Sequence, residues 1–82
     1  MAKKIDEHDY LLAARLEIDK VNEEFGLELP ESDEYMTIGG LILHYAKGFP
    51  KVNDKVLVDG HTFRILKMSQ TKIELVELSK SK

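Results

Sequence analysis

An 82-residue chain has room for one hydrophobic core, and folding at this size buries only roughly 60–65% of the surface that the unfolded chain exposes. With 43% hydrophobic and 33% charged residues it is too apolar for a disordered tail, and the absence of cysteine excludes disulfide frameworks and thiolate zinc sites. A net charge of −3 argues against nucleic acid as a partner, and no apolar run approaches the ~20 residues that span a bilayer, so no direct membrane insertion of this segment is expected.

Residues 1–8 are polar and charged and read as a flexible N-terminal segment, followed by one domain over 9–79 and a short tail at 80–82. The apolar run DYLLAAR fits a buried strand near 10–15. EIDKVNEEFG then supplies a helix in which Ile18, Val21 and Phe25 share a face, Asp19 suits the positive N-terminal end, and Gly26 provides a left-handed stop. LELPESDE reads as a loop ended by Pro30 and an acidic cluster.

A second helix follows in YMTIGGLILHYAKGFP, with Thr37 as N-cap and Met36 expected to staple onto Leu41. Its apolar face is Ile38, Leu41, Ile42 and Tyr45, flanked by a stripe of Gly39, Leu43 and Ala46; Gly40, His44 and Lys47 fall on the opposite, solvent side. Gly48 and Pro50 end it. From Lys51 the period changes to two. KVLV and TFRILKM flank DGH, where Asp59-Gly60 is a two-residue hairpin signal, and KIELVEL makes a further strand. Phe63 with Ile65, and Ile73 with Leu75, are read as facing the helices. The expected fold is α+β: a small antiparallel sheet of about four strands, near 10–15, 55–59, 61–68 and 72–78, with two helices packed on one face.

The adjacent glycines are the main candidate for chemistry. Free N–H groups in a first helical turn bind anions, and glycine lets a phosphate approach, so Thr37, Gly39 and Gly40 are the candidate cofactor-binding residues. The competing reading, preferred for Gly39, is close packing against a neighbouring element; Gly40, on the solvent side, is the better ligand candidate. The turn lacks the G-x-G-x-x-G spacing of a dinucleotide fingerprint. Glu31, Asp33 and Glu34 offer hard oxygen ligands without an EF-hand pattern, and His8, His44 and His61 fall in separate elements, so no metal site is assigned. No serine sits in a nucleophile elbow, and no catalytic residue is assigned; Arg64, facing away from Phe63 and Ile65, is expected in a salt bridge at the rim.

The combined spacing of Glu34, Tyr35, Thr37, Gly39, Gly40, Phe49, Pro50, Asp59, Gly60 and Phe63 resembles the transporter-associated CorC/HlyC domain, and Arg15, Gly26, Leu27, Leu29 and Pro30 match an earlier segment of the same family. The resemblance covers about Asp9 to Leu78. Two positions depart from the pattern. Asn53 replaces a glycine but tolerates positive φ, and Glu17 replaces a small capping residue or proline, so the first helix should start less firmly. The resemblance implies a non-catalytic regulatory or interaction module at the C-terminus of a larger integral membrane protein, on the cytoplasmic face of the inner membrane. Its implied partners are the CBS and transmembrane domains of the parent chain, with room for a homodimer. It implies a link to magnesium and cobalt efflux and to haemolysin-like proteins. The alternative it implies is FAD or adenine-nucleotide binding, which would use the Thr37–Gly40 turn.

Overall fold

The computed structural model describes residues 1–80. In chain order these form β1 (Ala2–Lys4), β2 (Asp9–Ala13), α1 (Ile18–Phe25), α2 (Ile38–Tyr45), β3 (Lys55–Val58), β4 (His61–Met68) and β5 (Ile73–Lys80). The strands make one antiparallel sheet in the order β1-β2-β5-β4-β3, and the helices pack on one of its faces. The sheet therefore has five strands where about four were expected. The added one is β1, inside the segment read as a flexible lead: Ala2 pairs with Leu12 and Lys4 with Tyr10. The connection back to β2 is tied by Asp6, whose carboxylate accepts the His8 and Asp9 N–H groups at 3.0 Å each. Those bonds, His8 foremost, hold the Asp6 carboxyl below its ordinary 3.8. At the other end Lys80, placed in the tail by the sequence, is the last residue of β5; positions 81 and 82 lie outside the described residues.

Asp59 and Gly60 both take positive φ, 45° and 81°, as a two-residue turn between paired Val58 and His61 requires. From that turn the inward residues run Val56 and Val58 on β3 and His61, Phe63 and Ile65 on β4. Register shifts between Ile65 and Met68 then break the alternation. On β5 the buried residues are Ile73, Val76 and Leu78, while Leu75 is only half-buried and pairs with Lys67, so Ile73 and Leu75 do not share the core face as expected. An irregularity of one residue reverses which side chains face inward, and period-two reading cannot see it.

The helices close the core. Ile18 and Val21 of α1, Ile38, Leu41 and Ile42 of α2, and Tyr10, Leu12, Phe63, Ile65, Val76 and Leu78 of the sheet form a single buried cluster. Phe25 lies tilted against Tyr10 with ring centroids 5.0 Å apart. Helix α1 ends at Gly26, whose φ of 64° is left-handed, and its N-cap Glu17 makes no side-chain capping bond. In α2, Thr37 caps by accepting the Gly40 N–H at 3.2 Å. The staple is absent: Met36 is 70% exposed. Tyr45 and Leu43 are also exposed, so the buried face of α2 is narrower than the sequence suggests.

Candidate functional site

The turn that opens α2 sits where three segments meet. Glu17 and Thr37 form an antiparallel bridge, and the Ile18 N–H donates to the Met36 carbonyl at 2.9 Å. The Ile38 N–H donates to Leu16 O at 2.9 Å and the Gly39 N–H to Ala14 O at 2.8 Å. Gly40 N–H goes to the Thr37 hydroxyl and Leu41 N–H to the Thr37 carbonyl. All the first-turn donors that a phosphate would use are thus bonded within the chain. A helix N-terminus attracts anions through its orphan N–H groups. Here the strand-to-helix connection at 14–16 occupies the first two and Thr37 the next two.

Both glycines of this turn have ordinary negative φ, so neither is there for a left-handed backbone. Space explains them. A Cβ on Gly39 would lie 3.3 Å from Ala14 Cβ and 3.4 Å from Ala14 O, and Ala14 is itself pinned by its N–H to Glu74 O at 2.9 Å. A Cβ on Gly40 would lie 3.1 Å from Tyr35 Cβ and 3.4 Å from the Thr37 hydroxyl. Gly40 therefore does not face open solvent, as its helical phase suggested; the loop before the helix folds back and lays Tyr35 over it. Tyr35 is held there by its hydroxyl, which donates to Pro30 O at 3.0 Å, and by His44, whose ring centroid is 5.1 Å away. Burial, seconded by Tyr45, raises the Tyr35 phenol above its ordinary 10.0, which keeps it a neutral donor.

The acidic run does not converge. Glu31 accepts from the Asn22 side chain at 3.2 Å, and Glu34 lies 3.6 Å from His44. Among the described residues, no three His, Asp or Glu side chains are grouped closely enough to hold a metal ion. A groove of about 300 Å³ between the start of α1 and this loop is lined by Glu17, Asp19, Glu31 and Asp33 with Tyr35 and Met36. A second, of about 370 Å³, runs between residues 45–50 and the outer edge of β3. Ser32 also lines the first groove, where its hydroxyl accepts the Glu34 N–H at 3.0 Å.

Arg64 takes the rim role expected of it, donating from Nε and Nη2 to one Glu77 oxygen at 3.3 and 3.2 Å across the β4–β5 ladder. His61 is buried, and its Nδ1 lies 3.2 Å from Val58 O and 3.1 Å from Asp59 O; two carbonyls can only accept, so the proton resides on Nδ1. Asn22 carries a role that the sequence reading missed. Its side-chain amide donates to Leu29 O at 3.0 Å while its carbonyl accepts Leu29 N–H at 2.9 Å, standing in for the strand partner that Leu29 lacks. The signal was the alternation of Leu27, Glu28 and Leu29, whose leucines are buried.

These features describe a class before they describe a family: a two-helix, five-stranded α+β domain whose helix-opening turn is a packing junction rather than an open cradle. The family follows from comparison. Residues 3–82 match the CorC/HlyC model, described as "Transporter associated domain", and the chain belongs to that family. Hemolysin C of Brachyspira hyodysenteriae is 33% identical over 81 residues, which cover 95% of this chain and 30% of that protein; the chain thus spans less than a third of its relative's length. The crystal structure of a putative Mg2+ and Co2+ transporter (CorC) associated region from Neisseria meningitidis superimposes with a TM-score of 0.84 at 25% identity, covering 96% of each chain. A transporter associated domain from a CBS domain protein of Porphyromonas gingivalis gives 0.83 at 22% identity, covering 99% and 98%, a likeness of fold. Within the described residues no helix is long and apolar enough to cross a membrane.

Proposed function

We propose that this domain acts without chemistry of its own, as a regulatory or interaction module at the C-terminus of a CBS-domain membrane protein that moves magnesium or cobalt, on the cytoplasmic face of the membrane. The observation that carries this reading is the family match over nearly the whole chain, taken with a candidate ligand turn whose N–H groups are already bonded to Ala14, Leu16 and Thr37. The names of the Neisseria and Porphyromonas proteins support the transporter and CBS context. For FAD or an adenine nucleotide to sit on Thr37, Gly39 and Gly40, its phosphate would have to break the Gly39–Ala14 bond that joins α2 to β2, so the nucleotide reading is the weaker one.

Its test is a pair of measurements. In cells that make the parent protein, removal of residues 9–79 should change cation efflux or its dependence on internal magnesium while the protein still reaches the membrane. In calorimetric titrations, the 82-residue chain should show no saturable heat with FAD or ATP. Unaltered efflux after deletion would sink the regulatory reading, and tight flavin binding lost on substitution of Gly40 would install the alternative.

A further inference from the structure

The two edges of the sheet are built differently. β1, at one edge, is three residues long and ends in the exposed lysines Lys3 and Lys4, the usual device against strand pairing. β3, at the other, is four residues long, carries one exposed lysine, Lys55, and exposes Leu57 to 72%. Tyr45 and Phe49 line a groove with it, and with Leu43 and Val52 five of the eight large hydrophobic side chains exposed among the described residues belong to the stretch 43–57. The groove of about 370 Å³ is lined by four consecutive residues, Asp54 to Leu57, and so follows the edge of the strand rather than one of its faces.

We propose that the β3 edge is a self-pairing surface on which a second copy of this chain adds its own β3 antiparallel, about a two-fold axis at Leu57. The ladder fixes which groups are available. Val58 and His61 flank a two-residue turn and form a hydrogen-bonded pair, so Val56 and Val58 spend their backbone groups on β4, while those of Lys55 and Leu57 point outward. Pairing Leu57 with its symmetry mate satisfies both outward groups of each and buries the most exposed apolar side chain of the molecule against itself. The same register sets residues equidistant from Leu57 towards each other, which brings Lys55 of one copy to the end of the other's strand, where Asp59 opens the turn, twice. Neither residue has an ion-pair partner among the described residues. Opposite charges brought close attract, and a two-fold axis makes every such contact count double. The register with Lys55 at the axis would instead set two lysines against each other. The association is a property of this chain alone, and it stands or falls independently of the transporter reading.

The edge is short, so the dimer should be weak, populated at about 0.1–1 mM chain and dissociating on dilution, as expected of an interface at the small end of the range. Sedimentation equilibrium of the 82-residue chain should show this. Isotope-filtered NOEs in a sample mixing labelled and unlabelled copies should join Leu57 methyls across the interface. Leu57→Lys should weaken association more than tenfold while leaving the thermal midpoint of the dilute monomer unchanged. Lys55→Glu should weaken it several-fold, and Asp59→Asn, which the turn tolerates, should recover part of that loss in the Lys55→Glu background. A chain monomeric at about 1 mM overturns the proposal. So does a dimer indifferent to Leu57→Lys, which would place the contact on another face, or an edge found occupied by a different protein.

Discussion

At the scale of single residues, Gly39 and Gly40 look alike in sequence and are constrained by different neighbours. Gly39 meets main chain that cannot retreat, because Ala14 is bonded on both sides, to Glu74 and to Gly39 itself. Gly39→Ala should therefore lower stability by about 1–3 kcal/mol through overpacking. Gly40 meets the Cβ of Tyr35, a residue on a loop. There the helix-propensity gain of up to about 1 kcal/mol from alanine is offset by the displaced tyrosine, leaving a net loss below ~1 kcal/mol. Helical phase alone makes Gly40→Ala stabilising; the fold-back of Tyr35 removes that gain. Urea midpoints of the two variants should rank Gly39→Ala as clearly the worse. Ala14→Gly should recover part of the Gly39→Ala loss in the double mutant, because it removes one of the two atoms in conflict. Equal effects at the two glycines would mean that Ala14 yields as readily as Tyr35.

At the scale of elements, the two helices are capped unequally. The Thr37 side chain bonds the third N–H of α2, whereas the Glu17 side chain bonds none in α1. Thr37→Ala should cost about 1 kcal/mol, within the usual range for a lost cap. Glu17→Ser should gain no more than about 0.5 kcal/mol, less than a cap normally gives. Of the two N–H groups an N-cap side chain can serve, that of Lys20 is already taken by the Asp19 carboxylate. Thermal melts of both variants test the asymmetry, and a Glu17→Ser gain as large as the Thr37→Ala loss would contradict it. The turn of the β3–β4 hairpin was legible to the residue, because it demands positive φ at two successive positions and Asp-Gly supplies it; the strand before it, read to 59, ends at Val58. The bulge near Lys67 was not, since nothing in TFRILKM marks where the alternation fails.

At the scale of the whole molecule, β5 lies at the centre of the sheet and β1 at an edge held by a single neighbour. Native-state hydrogen exchange should accordingly find the slowest amides in β5 and the facing half of β4, and the earliest opening in β1. Acid should act on β1 first. The Asp6 carboxylate accepts two N–H groups and its folded pKa is lowered, so its contribution is fully present above 3.8 and is lost as pH falls through the lowered value. Amide shifts of His8 and Asp9 should titrate together below pH 3.8, ahead of any change at Phe63 or Val76. A global transition that moves the core amides at the same pH would show that β1 is not a separate unit.

The sequence by itself determined every element but β1, and the family. Capping residues, left-handed glycines and hydrophobic period are local properties, and each acts within a few residues of where it is written. The α+β class, both helices and the Asp59-Gly60 turn all followed from such local rules, while the turn at Asn53, whose φ is 75°, was read through the family resemblance. Tertiary structure decided what lay between elements. It set β5 between β2 and β4, recruited Ala2–Lys4 as a fifth strand, turned Tyr35 over Gly40, and gave the first N–H groups of α2 to Leu16 and Ala14. A backbone donor is free or occupied according to which distant carbonyl reaches it, and side-chain periodicity carries no record of that. The candidate ligand turn was therefore visible in the sequence, while the bonds that close it appear only when the strand-to-helix connection and α2 meet.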